Sequence, residues 1–388
     1  MEFLTNSMKK MDLVYFDAGS GHKCTAQALM EIIKKQNVPV DLRLVNIQDP
    51  EMLGFLDFLY KMTGISAVEI YNLMLKKNWT LLDPLYLAIS KLNIHYKHRK
   101  GVSFLEGYWQ KSKPDLVVSL IPLFNRVLWE SLQKVRPHTP FVTILTDLAD
   151  CPPNYWIEKQ KQYFICPTER AFEQAIAMLN EQESIFRTSG LVINSRFYQE
   201  ITVDRPMERK RLGLEPDLPT GLVMFGGNGS DVMVKVAQVL DKLGKKFQLI
   251  FICGTNKKLA NSLRSRESSF PTFVEEFTHE IPFYLYISDF FIGKPGNICV
   301  SEAVQMNLPI IIKHDAATLV QERYTSEWIT DNQLGIVINN WQSIDKAVVQ
   351  IIKPQNLEFY RHNASLINNQ GLFETAQITL KLIDLHPI

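Results

Sequence analysis

Two stretches of this chain share one plan, and that plan restricts the fold more than any other feature. A short apolar strand runs into a glycine-bearing loop, and the loop opens a helix whose apolar residues recur at helical spacing. The first stretch is LVYFDAGSGHKCTAQALMEIIKK, where Leu13 to Phe16 read as a buried strand and Leu29, Ile32 and Ile33 as the inner face of the helix. The second is GLVMFGGNGSDVMVKVAQVLDKL, where Val232, Val236, Val239, Leu240 and Leu243 form the equivalent stripe. Strands alternate with helices after each: VDLRLVNI, PDLVVSLIP and PFVTILTDL follow the first, FQLIFICG, DFFIG and LPIIIK the second. Apolar runs such as Leu249 to Cys253 and Ile310 to Ile312 suit parallel strands covered on both faces by helices. The expected class is α/β, with two Rossmann-like doubly wound domains.

A chain of 388 residues is long enough for about two such domains. The boundary is placed within residues 194–210, where NSRFYQEITVDRPMERK loses apolar periodicity. This gives a first domain over 1–195, a second over 196–371, and a final helix in 372–388 that crosses back to the first. Residues 52–112 break the alternation: they are rich in Phe, Tyr, Trp and Leu, with lysines and arginines scattered among them. Two readings stay open for this insertion. Its aromatic and basic side chains suit an interfacial surface on an anionic membrane, and they equally suit helices packed on the sheet with a solvated basic rim.

The formal charge of +1, from 42 basic and 41 acidic side chains, supplies no global field to draw nucleic acid to the surface. Five cysteines, far apart and without a Cys-x-x-Cys pair, indicate neither a disulfide framework nor a zinc site. The opening residues lack the pattern of a signal peptide, and no apolar run approaches the roughly 20 residues of a membrane span. The expectation is a cytoplasmic protein that meets a membrane only from one side.

Glycine at a strand-to-helix turn lets a phosphate approach the backbone, while amides at the helix start point at the anion. Gly226, Gly227, Asn228 and Gly229 sit in such a place, where a plain tight turn is a comparable explanation. The dinucleotide fingerprint fits neither loop, because its third glycine position holds Cys24 in one and Val232 in the other. A nicotinamide dehydrogenase is therefore disfavoured. His22 stands at the mouth of the first loop, where an imidazole either takes a proton from a hydroxyl or merely bonds to the backbone.

The motifs DAGSGHKCTAQAL (17–29), KPDLVVSLIPL (113–123), TDLADCPPNYW (146–156), CPTERAFEQA (166–175), GLVINSRF (190–197), FGGNG (225–229), ICGTNKKL (252–259) and KPGNICVSEA (294–303), with the pair Gln321 and Glu322, run almost from end to end. In this order they resemble the monogalactosyldiacylglycerol synthases and the processive diacylglycerol glucosyltransferases, a branch that also resembles the peptidoglycan N-acetylglucosaminyltransferase. The resemblance implies a GT-B fold whose two domains face a cleft, with the acceptor on the first and a UDP-sugar on the second. It implies that Gly227, Asn228 and Gly229 approach the diphosphate, that Glu302 accepts from the ribose hydroxyls, and that Gln321 and Glu322 hold sugar hydroxyls. Gly254, Asn256, Pro295, Gly296 and Asn297 complete the implied donor site, and Gly19, Ser20 and Gly21 line the acceptor side. His22 is the implied base for an inverting transfer, and Asp147 the second choice for that role or for orienting it.

No metal and no cofactor is expected beside the donor substrate. The expected partners are a UDP-sugar, a membrane lipid acceptor, first of all diacylglycerol, and an anionic membrane surface on the inner face. Four departures from the family pattern stand out: Ser20 replaces a glycine, Asn297 replaces the second glycine of KPGG, Pro152 and Pro153 stand where His-Pro is usual, and Thr325 replaces an asparagine. They touch sugar and acceptor contacts more than the phosphate loop. The alternatives are a UDP-sugar 2-epimerase, which needs no lipid, and a binding protein that keeps the fold without turnover.

Overall fold

The computed structural model describes residues 8–16, 21–49, 52, 80–179 and 181–385. It divides into two compact units, one made of Met1–Lys77, Leu82–Asn194 and Gln370–Ile388, the other of Ser195–Asn369 with the short piece Asn78–Leu81.

Unit 1 is a six-stranded sheet of β1 Lys9–Tyr15, β2 Val40–Asn46, β3 Leu116–Ser119, β4 Phe141–Ile144, β5 Tyr163–Cys166 and β6 Ile185–Arg187, in the order β2-β1-β3-β4-β5-β6. All neighbours pair in parallel. The central strands β3 and β4 are wholly buried, which is why LVVS and FVTI carry no charged side chain. Strand β1 starts earlier than the apolar run suggests, because Lys9 and Lys10 pair through their backbones with Val40 and Asp41, and it stops before Phe16. Helix Gly21–Lys35 buries Ala26, Leu29 and Ile33, and Ile32 lies half-buried at the edge of that face. Helix Gly371–Leu385 adds Ala376, Leu382 and Ile383 to the same core. It is fastened there by Ser189, whose backbone N and Oγ both donate to Glu374 Oε2 at 2.6 and 2.9 Å.

The described part of the insertion is mainly a single 30-residue helix, Asp83–Ser112, which starts with Pro84 in its first turn and buries Leu87, Val102, Leu105 and Trp109. The rest of that stretch, with Lys61, Lys76 and Lys77, lies outside the described residues. Among the described residues no helix is long and apolar enough to cross a membrane.

Unit 2 repeats the plan with β7 Thr220–Met224, β8 Gln248–Ile252, β9 Thr272–Glu275, β10 Phe290–Gly293, β11 Ile310–Lys313 and β12 Gly335–Ile338, in the order β12-β11-β10-β7-β8-β9. The helix after β7, Val232–Leu240, is shorter than the expected stripe, and Leu243 falls in the 3-10 turn Asp241–Leu243. Its inner face is Met233, Val236, Ala237 and Leu240, with Val232 and Val239 at the margin. In each sheet the chain reverses its direction of travel once, between β1 and β3 and between β7 and β10. Such reversals splay the following loops apart and leave a crevice beyond the carboxyl ends of the strands.

Candidate active site

His22, the second residue of helix Gly21–Lys35, sits at the reversal in unit 1. Its Nδ1 lies 2.8 Å from the carbonyl oxygen of Leu120, just past β3, and 3.1 Å from Thr146 Oγ1, just past β4. A carbonyl oxygen only accepts, so Nδ1 carries the proton and donates it, leaving the lone pair on Nε2. The rings of Phe16 and Trp156 stand 6.0 and 5.9 Å from the imidazole. Burial among these groups pushes the His22 pKa down to about 4, partly opposed by the bond to Leu120. The ring is neutral at neutral pH, and among the described residues Nε2 has no hydrogen-bond partner. The geometry is that of a base with its acceptor atom unengaged.

Asp147 does not bond to His22: its Oδ2 accepts from Trp156 Nε1 at 2.7 Å. Orientation of the imidazole comes instead from Leu120 and Thr146. Asp150 folds the intervening segment, accepting from the backbone N–H groups of Asn154, Tyr155 and Trp156 at 2.8, 2.9 and 2.6 Å. The motif at 146–156 is thus a loop tied from both ends that presents Trp156 beside His22. Gly21 opens the helix, while Gly19 and Ser20 lie outside the described residues.

In unit 2 the loops after β7 and β8 interlock. Gly226, Gly229 and Gly254 have φ of 78°, 59° and 57°. Thr255 N donates to Gly227 O at 2.9 Å, and a Cβ on Gly254 would stand 2.0 Å from that same oxygen. A Cβ on Gly229 would stand 2.5 Å from Cys253 O. Gly254 and Gly229 therefore serve the contact between loops, and Asn256 serves helix Lys257–Arg264, capping it by accepting from Leu259 N at 3.0 Å. Gly227 and Asn228 remain exposed at the tip, with Asn228 Oδ1 accepting from Thr255 Oγ1 at 3.2 Å. Gly254→Ala should cost at least about 2 kcal/mol, from the left-handed backbone and the steric overlap together. At roughly 2–4 °C per kcal/mol for a unit of this size, thermal unfolding should show a fall of about 4 °C or more. An unchanged midpoint would mean the loops are not locked.

Beyond β10, Lys294 and the buried Pro295 and Gly296 lead into helix Asn297–Gln305, whose first amides lack partners within the helix. Lys294 Nζ is 2.9 Å from Glu322 Oε1, and a Cβ on Gly226 would lie 3.7 Å from Lys294 Cε. The lysine therefore stands beside the glycine loop at the β7/β10 reversal. Gln321 and Glu322 are both buried in the 3-10 turn Val320–Glu322. Thr325 Oγ1 donates to Asn297 Oδ1 at 2.6 Å, both residues buried. Two departures from the family pattern thus satisfy one another.

Glu302 lies in the second turn of its helix and is half-buried. Burial alone pushes its pKa up to about 8, and no hydrogen bond or ion pair reaches its carboxyl group among the described residues. A carboxyl held this way gains from a ligand that brings hydroxyl donors. Lys294, Thr146 and Trp156 were not named as site residues from sequence. A lysine directly before the Pro-Gly turn at a strand end was the available signal for the first.

The monogalactosyldiacylglycerol (MGDG) synthase family profile matches residues 22–193. A rice protein (Oryza sativa subsp. japonica) described as probable monogalactosyldiacylglycerol synthase 3, chloroplastic, is 29% identical over 372 residues, covering 92% of this chain and 70% of its own length. The crystal structure of MurG from Acinetobacter baumannii superposes with a TM-score of 0.59 at 12% identity, over 96% of this chain and 99% of that one. A UDP-GlcNAc 2-epimerase from Neisseria meningitidis bound to UDP-GlcNAc gives 0.56 at 16% identity, over 96% and 99%. At such identities the solved structures speak for the fold, while the family profile and the rice relative speak for descent. With a two-sheet GT-B fold and this kinship along nearly its whole length, the chain is a glycosyltransferase related to the monogalactosyldiacylglycerol synthases.

Proposed function

We propose that this glycosyltransferase moves a hexose from a UDP-sugar to the free hydroxyl of diacylglycerol at a membrane surface, inverting the anomeric carbon. The observation that carries the reading is His22: a neutral imidazole at the strand reversal, with its proton on Nδ1 and with Nε2 unengaged among the described residues. In one displacement the acceptor oxygen bonds to the anomeric carbon, the bond from that carbon to the diphosphate oxygen breaks, and the acceptor proton passes to Nε2. The electron pair leaves on UDP. Unit 2 supplies the donor contacts: Glu302 for the ribose hydroxyls, Gly227 to Gly229 with the helix amides after Gly296 for the diphosphate, and Gln321 with Glu322 for the sugar. The reading assigns no metal or cofactor, since amides and a lysine stand where leaving-group charge develops.

Release of UDP from UDP-glucose, UDP-galactose and UDP-N-acetylglucosamine, with and without diacylglycerol vesicles, tests the reading. Release that depends on the lipid and yields a glycosylated diacylglycerol supports it. Lipid-independent turnover with sugar isomerisation supports a 2-epimerase, and binding without turnover supports a non-catalytic protein.

The helix Asp83–Ser112 is the membrane contact in this reading. Leu82, Leu85, Ile89, Leu92 and Tyr96 follow one another at spacings of three and four, which places them on a single face. That face is open, with Leu85, Ile89, Leu92 and Tyr96 exposed by 60, 56, 69 and 87%. Arg99 and Lys100, both exposed, continue along the same helix and suit anionic headgroups. Each aliphatic side chain taken into hydrocarbon contributes about 1.5–3 kcal/mol. Leu85→Ser with Leu92→Ser should therefore cut co-sedimentation with phosphatidylglycerol/phosphatidylcholine vesicles by about tenfold or more, without changing UDP affinity. Equal sedimentation of variant and wild type removes this face from membrane binding.

A further inference from the structure

We infer that Lys294 is shared between two anions in turn: it neutralises Glu322 in the free protein and transfers to the diphosphate when the donor binds, which frees Glu322 to accept sugar hydroxyls. The inference rests on the donor reading given above. Its structural basis is the position of one ammonium. Lys294 Nζ holds Glu322 Oε1 at 2.9 Å, while its Cε lies 3.7 Å from where a Cβ on Gly226 would be and 3.2 Å from where one on Gly296 would be. Both glycines open loops that face the β7/β10 reversal, so the same side chain touches the sugar turn and the phosphate cradle.

The electrostatics favour an exchange. Glu322 is 11% exposed at its side chain and Lys294 36%, so the carboxylate is the fixed partner and the lysine the one with room to move. A diphosphate carries more charge than a carboxylate and offers more acceptor oxygens, and the positive end of helix Asn297–Gln305 lies at the same place. A carboxylate paired with an ammonium is a weaker acceptor for a neutral hydroxyl, because the cation offsets its charge and holds one of its two oxygens. Once the lysine leaves, Glu322 needs new donors, and a sugar ring supplies them in pairs. The hydrogen bond from Thr325 to Asn297 keeps the two loops in register while the lysine changes partner. Diphosphate binding and sugar recognition are then coupled through one side chain.

The exchange predicts opposite signs for its two halves, which a merely structural ion pair does not. In Glu322→Gln the lysine gives up a neutral amide rather than a carboxylate, so UDP should bind about three- to tenfold tighter. UDP-hexose should lose whatever advantage it has over UDP. In Lys294→Met UDP should bind at least about tenfold more weakly, while uridine, which has no phosphate, binds as in wild type. The double variant should match Lys294→Met, because the tightening needs the lysine. Calorimetric titration of UDP, UDP-glucose, UDP-galactose and uridine into the three variants and wild type reads all of this, with thermal unfolding as a check that each is folded. Weaker or unchanged UDP binding in Glu322→Gln overturns the exchange, as does tightening that survives in the double variant. If wild type binds neither uridine nor UDP, the donor reading falls and the exchange with it. If Glu302→Ala weakens uridine while Glu322→Gln leaves UDP unchanged, the exchange alone falls.

Discussion

His22→Ala should lower kcat by about 100- to 10,000-fold, the range lost when a positioned acid–base group is removed, while UDP affinity stays within about twofold. The two effects separate because His22 lies in unit 1 with Leu120 and Thr146, and the proposed donor contacts lie in unit 2. The pH dependence carries a further signature. A free histidine gains its proton near pH 6.5, but burial pushes that of His22 down to about 4. At saturating donor, kcat should hold between pH 7 and 5 and fall only below about pH 5, as the base becomes protonated. Between its unfolded and folded pKa values the unfolded chain binds the extra proton, so this group favours folding above pH 6.5 and loses that contribution as pH falls toward 4. Equal transfer rates for wild type and His22→Ala, or a limb centred at 6.5 in the wild type, would contradict a buried neutral base.

Glu302→Ala should weaken UDP-sugar binding by about 10- to 100-fold, the loss of hydrogen bonds between hydroxyls and a charged acceptor. It should leave kcat at saturating donor much less affected. Glu302 begins with its pKa pushed up to about 8, and ribose hydroxyls favour the ionised form. Donor affinity should rise with pH up to about 8 and level off above it, and binding at pH 7 should release protons into the buffer. The stability effect has the opposite sense. The folded chain holds the proton that the unfolded one has lost between pH 4.5 and 8, so this carboxyl costs stability as pH rises through that window. Glu302→Gln removes the cost, and its thermal midpoint should overtake that of wild type above pH 8. A donor affinity indifferent to both pH and substitution would remove Glu302 from the nucleotide site.

The second glycine loop and the central strands were legible in the sequence because their signals are local. Leu249 to Cys253 and Ile310 to Ile312 are continuous apolar runs, and each became a strand buried on both faces. The strands left unread are those whose burial depends on neighbours. β6 is only Ile185–Arg187, β9 carries Glu275 at the sheet edge, β5 follows the polar run EKQKQ, and β12 is a four-residue edge strand that stays mostly half-buried. The inner face of helix Val232–Leu240 was displaced because Met233 and Ala237 fill the core where valines had been counted.

At the site, residue types were legible and their partners were not. Asp147 reads as a carboxylate near the base, yet its oxygen is taken by Trp156, nine residues away. Asn256 carries an ordinary helix-capping signal, and its side chain does cap helix Lys257–Arg264. The pairs Lys294 with Glu322 and Thr325 with Asn297 each join positions 28 residues apart. No periodicity links such positions, and only the fold brings them together.

Calorimetric titration of UDP into the purified chain tests the donor site most directly. Saturable binding to a single site, weakened by Glu302→Ala and unchanged by His22→Ala, is the predicted result. A flat titration, with no thermal shift at high UDP, would contradict a nucleotide site at the β7/β10 reversal and the transfer built upon it.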